Sequence, residues 1–356
     1  MSAPMPLPIP QQKKEFVGFD PSSIAVDNGN IYALPFNEAD ASLVIIPVPW
    51  EVTVSYRAGT AHGPEALRAA SLQVDLFDEE MGDVWQYGIY MPPHDEDIYA
   101  ASEAQRKIAA DIIESLGRGD KQERYSALYA GIERQFDLLY ARIEADTLFY
   151  LQRGKIVGIA GGDHSVSLGA LRACARHFES FGILHIDAHA DLRQSYEGFV
   201  YSHASIMFNA LALPQVERIV QVGIRDYCSN EAQRIDASQG RVKLFSDAAL
   251  KDAQFRGRTW NELCDEIIAS LPELIYISFD IDGLDHALCP GTGTPVPGGL
   301  SYQEAVFLLK KITQSGRKII GFDLVEVAGD GDSWDAIVGA RLLYKLCCRA
   351  IVSCSL

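Results

Sequence analysis

The chain has 356 residues, of which 48% are hydrophobic and 22% charged, and its formal net charge is −17. That length suits one large α/β domain with excursions, and the acidic balance argues against nucleic acid or an anionic membrane as a partner. No apolar stretch approaches the ~20 residues that span a bilayer, Met1 to Pro10 lacks a signal-peptide pattern, and the 7 scattered cysteines do not suggest a disulfide framework, so a cytoplasmic protein is expected.

Residues 1 to about 40 carry Pro, Gln, Asn and Asp without sustained periodicity. They read as an N-terminal arm lying on the surface or on a neighbouring subunit, with residues 41–356 as a single catalytic domain. Leu43 to Val48 is the first strand, followed by a Gly/Thr-rich loop from Thr53 to Gly63. Pro64 then suits the first turn of a helix reaching Ala70, where its missing N–H would have no partner anyway. Residues 101–117 and 121–150 place Ile108, Ile112, Leu116, Leu128, Ile132, Phe136 and Leu139 near the helical period. From Ile156 onward, strands at 156–160, 183–187, 219–223, 242–245, 274–280 and 319–325 are interspersed with helices at 166–176, 260–270, 302–313 and 336–350. Such alternation predicts a mainly parallel sheet covered by helices on both faces. Cys347-Cys348, in the last helix, read as small buried hydrophobes.

Three polar clusters follow apolar runs: Gly161-Gly162-Asp163-His164, Asp187-Ala188-His189-Ala190-Asp191 and Asp280-Ile281-Asp282. Ligands of open α/β sheets collect beyond the carboxyl ends of the strands. Alternate positions at a strand end aim Asp187, His189 and Asp191 to one side, and Asp280 with Asp282 likewise. A lone buried Asp or His is usually an ordinary hydrogen-bonded core residue. Four carboxylates and two imidazoles gathered together repel and desolvate one another unless cations are present. His164, Asp187, His189, Asp191, Asp280 and Asp282 therefore predict a metal pair, and an oxygen-rich set with two imidazoles suits manganese or nickel. His185 lies inside its strand and reads as structural; His62, His94, His177 and His286 lack acidic partners at ligand spacing.

These motifs, together with Ser278-Phe279-Asp280-Ile281-Asp282-Gly283-Leu284-Asp285, Pro290-Gly291-Thr292-Gly293-Thr294-Pro295 and Asp323-Leu324-Val325-Glu326-Val327, resemble the ureohydrolase family of arginases and agmatinases. The likeness runs from about Leu43 to the C-terminus. It implies a three-layer α/β/α sandwich with a mainly parallel eight-stranded sheet, and a homo-oligomer, trimeric or hexameric. It also implies two divalent ions, Mn2+ or Ni2+, shared among the six ligands with some carboxylates bridging. Such a pair lowers the pKa of a water toward neutrality and directs it at a planar, electrophilic carbon. By the same resemblance Glu326 orients the substrate guanidinium, His203 shuttles a proton to the leaving nitrogen, and Asp191 accepts a hydrogen bond from the attacking water while binding metal.

Substrate choice is less sharply marked. The segment Leu192 to Tyr201 is bulkier and more aromatic than the polar loop of arginases. Pro49-Trp50-Glu51-Val52-Thr53 and Trp334 look like the branch of nickel-dependent guanidine hydrolases, with Thr53 and Trp334 as substrate contacts. Phe199, Tyr201 and Trp334 are expected to narrow the pocket around a small cation. The expected reaction is hydrolysis of a small linear guanidino compound such as agmatine, guanidine or an N-methylated guanidine. Asp191-Leu192-Arg193 resembles formiminoglutamase, the enzymatic alternative, and a deacetylase-like or non-catalytic member of the fold is the more remote one.

Overall fold

The apolar runs rich in Ile and Val are strands, as their β-branched content favours. They are β1 (Leu43–Val48), β2 (Ile89–Tyr90), β3 (Ile156–Gly161), β4 (Phe181–Ile186), β5 (Val216–Val222), β6 (Val242–Phe245), β7 (Leu274–Asp280) and β8 (Lys318–Val325). In this computed structural model, which describes residues 7, 8, 10, 12–14, 16 and 18–355, they form one 8-stranded parallel sheet in the order β2-β1-β3-β8-β7-β4-β5-β6.

Both faces of the sheet are covered, and the period of two decides which side chain goes where. Leu43 and Ile45 of β1 enter one core, whereas Val44, Ile46 and Val48 enter the other. The first core is closed by α1 (Gly63–Ser71), α7 (Asp247–Phe255), α8 (Trp260–Ala269), α9 (Tyr302–Gln314) and α10 (Trp334–Ser355). The second is closed by α2 (Glu96–Gly117), α3 (Ser126–Leu151), α4 (Ser167–His177), α5 (Ile206–Leu211) and α6 (Ser229–Ala237). This is the expected three-layer sandwich. Cys347 and Cys348 are fully buried in the first core.

Two expectations need correction. The segment before residue 40 is not wholly peripheral, because Ile31, Tyr32, Leu34 and Phe36 are buried in the first core. The Asn30 amide donates to the Leu34, Phe36 and Ile89 carbonyls, and the Tyr32 hydroxyl donates to Ala340 O at 3.0 Å. A buried amide that closes its own turn leaves no helical or strand period for a sequence pattern to show. Strand β2 and helices α5, α6 and α7 also lay outside the expected elements, being only two to nine residues long. Part of Met1 to Pro10 lies outside the described residues.

The topology explains where chemistry can occur. Strands β3, β8, β7 and β4 are neighbours at the centre of the sheet although far apart in the chain. Their carboxyl ends deliver His164, Glu326, Asp280 with Asp282, and Asp187 to Asp191 to one place. The expected ligand set thus converges from three of four adjacent strands.

Candidate metal centre and cleft

Three of the four site carboxylates give one oxygen to a backbone amide. Asp280 Oδ1 accepts the Asp282 amide at 2.8 Å, Asp282 Oδ1 accepts the Ala188 amide at 2.9 Å, and Asp187 Oδ1 accepts the His189 amide at 2.6 Å. These bonds, two of them to the amide two residues on and one across to the Asp187 loop, lock the carboxylates. The other oxygen of each faces the imidazoles. Asp187 Oδ2 and Asp191 Oδ2 each lie 3.1 Å from His164 Nδ1, and Asp280 Oδ2 lies 3.5 Å from it. On the other side, His189 Nδ1 is 3.1 Å from Asp282 Oδ2 and 3.4 Å from Asp187 Oδ1. Asp187 is therefore common to two clusters, one around His164 and one around His189.

The state of the His164 ring decides what this cluster can hold. Its Nε2 lies 2.8 Å from Ser278 Oγ, and the Ser278 hydroxyl donates to Asp323 at 3.0 Å. With the serine proton directed at Asp323, His164 Nε2–H is the donor to Ser278, which leaves Nδ1 as the nitrogen that faces the carboxylates. Nδ1 sits among three carboxylate oxygens without a well-formed hydrogen bond to any of them, so a proton that their charge holds on the ring is poorly bonded. In such a cage a cation is the group that turns repulsion into coordination. The residues therefore fit a metal ion at His164, and Asp187, His189 and Asp282 fit a second beside it.

His185 is also near enough to count geometrically with the first cluster. Its Nε2, however, is 2.7 Å from Asp187 Oδ2, and its Nδ1 receives the Gln221 amide at 3.0 Å. With both ring nitrogens engaged, His185 orients Asp187 and has no lone pair left for an ion. Gln221, on β5, also donates to Ala190 O at 2.7 Å and was not singled out in the sequence.

Burial sets the charges. It raises the Asp191 carboxyl to about 6, with Asp187 adding to the rise, and it raises Asp163 to about 6 as well. Burial and the nearby Asp163 push Glu326 well above the usual carboxylate range. Burial alone would lower the His164 and His189 rings, but the facing carboxylates hold both well above the ordinary imidazole value. Asp191 at φ 53 and Glu326 at φ 61 are non-glycine residues in the left-handed region, and strain of this kind gathers at functional sites.

A cleft of about 260 Å³ opens onto the centre, lined by Tyr56, His189, Asp191, Arg193, Tyr196 and His203 among others. His203 reaches it from the loop after Asp191, with Nδ1 3.3 Å from Thr53 Oγ1 and its ring edge-on to Tyr196 at 5.8 Å. Burial, reinforced by the charges on His189 and His164, pushes His203 down to about 3, so the ring is neutral. Thr53 is fully buried. Glu326 lies behind the His164 loop; its Oε1 accepts the His164 amide at 2.8 Å, and its Oε2 faces Gly293.

The structure does not bring the expected aromatics to this cleft. Phe199 is buried against Tyr129 at 5.1 Å, and Tyr201 packs on Phe136 and Tyr140. Trp334 begins α10, remains 51% exposed, and donates its indole N–H to Ala287 O at 3.0 Å. Tyr56 and Tyr196 take the place in the cleft expected for these three. Local sequence could not show this, because both tyrosines sit in irregular loops where no period fixes direction.

Comparison with known proteins agrees with this geometry. Residues 41–348 match the sequence profile of the arginase family. The chain is 32% identical over 311 residues to N(1)-aminopropylagmatine ureohydrolase of Synechocystis sp., covering 86% of this chain and 89% of that one. It is 33% identical to agmatinase of Proteus mirabilis, covering 86% and 87% respectively. Among solved structures it resembles agmatine ureohydrolase of Thermoplasma volcanium, with TM-score 0.69, 23% identity and coverage of 93% and 95%. The proclavaminate amidino hydrolase of Streptomyces clavuligerus gives TM-score 0.70 at 22% identity, covering 93% and 100%. The chain belongs to the arginase family of ureohydrolases, enzymes that hydrolyse C–N bonds.

Proposed function

We propose that this chain is a dinuclear metal-dependent ureohydrolase that cleaves a small, linear, cationic guanidino compound to urea and an amine or ammonia. The observation that carries the reading is His164 Nδ1 set among three carboxylate oxygens, with Asp187 shared between two such clusters. When bound, a pair of divalent ions, manganese or nickel, supplies the positive charge that acidifies and aims a water. His164, Asp187, Asp191 and Asp280 would hold one ion, and Asp187, His189 and Asp282 the other.

The remaining work falls to residues of the chain. Neutral His203, on the cleft wall, takes a proton at a bare ring nitrogen and returns it to the departing nitrogen. Asp191 accepts a hydrogen bond from the attacking water. Glu326 offers a carboxylate oxygen to the guanidinium N–H groups, and its buried setting strengthens that pairing. Thr53 fixes His203. The cleft lies near the small end of ligand pockets, which supports a compact substrate such as agmatine or a guanidine with small substituents. The relatives named for agmatine and aminopropylagmatine support the same class.

Formiminoglutamate remains a second reading because Arg193 lines the cleft, where it could meet a carboxylate. Its Nε, however, already faces the buried Glu231 at 3.8 Å, and its guanidinium lies over Tyr196. The reading also places the protein in the cytoplasm as a homotrimer or homohexamer, consistent with the exposed Ile24, Val26 and Phe77. No helix among the described residues is long and apolar enough to cross a membrane. The test is a screen of manganese- and nickel-loaded protein for urea release from guanidino compounds. Formamide release from formiminoglutamate, with no urea from any guanidine, would replace the proposal by the second reading.

A further inference from the structure

Thr53 and Tyr196, which both pack on the His203 ring, belong to separate loops, and a cation on α2 holds the first of them. Arg106 Nη1 donates to Val54 O at 2.6 Å, and its Nε faces Glu51 Oε1 at 3.6 Å. Glu51 is 5% exposed, and its Oε2 accepts the Gly59 amide at 2.6 Å, the Ala61 amide at 3.1 Å and the Thr60 hydroxyl at 3.2 Å. The Ser102 hydroxyl, one helical turn before Arg106, receives the Glu51 amide at 2.8 Å. Loop 51–61 is thus closed on a single carboxylate, and α2 grips it on both sides of Thr53.

Glu197, next to Tyr196, has φ 51 and an Oε2 that is buried and lacks a hydrogen-bond partner. Burial raises the Glu197 carboxyl, and the charge on Arg106 is what opposes that rise. Neither Glu51, Glu197 nor Arg106 belongs to the metal centre.

We infer that Arg106, acting through Glu51 and the Val54 carbonyl, is a positioning residue that sets the orientation and tautomer of His203. In the inferred tautomer Nδ1 carries the proton and donates to Thr53 Oγ1, 3.3 Å away, which leaves Nε2 as the proton acceptor the proposed reaction needs. Free imidazole side chains in water favour the opposite tautomer, with the proton on Nε2. Release of loop 51–61 should therefore let the ring turn over to that form. The inference rests on the proposed reaction for its kinetic consequence, though not for its structural one.

The experiment has two arms on the full-length protein. In the first, nitrogen-15 NMR of the imidazoles reads the His203 tautomer in wild type, Arg106→Met and Glu51→Gln, with and without added metal. The expected result is a single Nδ1–H form in wild type and a mixture rich in Nε2–H in both variants. An unchanged tautomer in the variants overturns the inference, and Glu51→Gln decides the matter should Arg106→Met not fold. In the second arm, kcat for urea release is measured for Arg106→Met, His203→Ala and the double variant. Residues acting as a unit are non-additive, so Arg106→Met should cost about tenfold in wild type and nothing further beside His203→Ala. Multiplying costs would mean a merely structural role and overturn the inference. If wild type releases no urea from any guanidino compound, the functional proposal fails while the NMR arm still decides this one.

Discussion

Because Asp187 gives one oxygen to each cluster, removing it should affect both ions, whereas removing Asp282 should affect only the ion at His189. The size of the effect can be worked out. An ion held at a thousandfold excess over its dissociation constant stabilises the folded chain by ~4.1 kcal/mol, and two by ~8 kcal/mol. With an unfolding entropy of ~2.1 cal/mol/K per residue, a chain of 356 residues has ~0.75 kcal/mol/K in total. Two ions should then raise Tm by ~11 °C and one by about half that. The assay is Tm with and without metal, together with metal content by elemental analysis. Wild type should bind two ions with the full shift, Asp282→Ala one ion with half, and Asp187→Ala essentially none with no shift. An Asp187→Ala protein that keeps one ion at wild-type affinity would refute the shared-carboxylate reasoning.

Three further outcomes follow from the same geometry. Metal affinity should rise with pH from about 5 and go on rising above 7, because Asp191 at about 6 and the imidazoles of His164 and His189, raised well above their ordinary value, must lose protons to bind an ion; calorimetry in buffers of different ionisation enthalpy should show proton release, and a pH-independent affinity would contradict the assignment. Glu326→Gln should keep both ions, since its amide oxygen can still accept the His164 N–H, yet lose roughly a hundredfold in kcat/KM if a charge-assisted contact of ~3 kcal/mol is lost. His203→Ala should leave metal content unchanged, slow kcat by ~10²–10⁴-fold and respond to added imidazole; full activity without imidazole would remove the shuttle.

How much of this was legible depended on whether the signal was local. Asp187-x-His189-x-Asp191 and Asp280-x-Asp282 follow directly on β4 and β7, so their gathering at the carboxyl edge could be read from the chain, and so could the parallel sheet, although Asp191 at φ 53 and Asp282 in a 3-10 turn lie beyond the reach of strand period. Ser278, two residues before Asp280 on the same strand, was readable in principle as a partner of His164. Gln221 and Arg106 were not, because their partners Ala190, His185, Val54 and Glu51 come from distant segments. Trp334 shows the converse limit. Its bulk suggested a pocket wall, but the turn at 286–288 offers a carbonyl that takes its indole N–H away from the cleft. The burial of Ile31 to Phe36 was likewise hidden, since the asparagine-closed turn that inserts it has neither helical nor strand period.

The central claim is that two ions sharing Asp187 act together on a guanidino carbon. The most direct measurement titrates manganese or nickel into metal-free protein while following urea release from agmatine and guanidine against metal bound per chain. Activity should stay low through the first equivalent and rise with the second. Full urea release with a single ion bound, or none with two, would contradict the account.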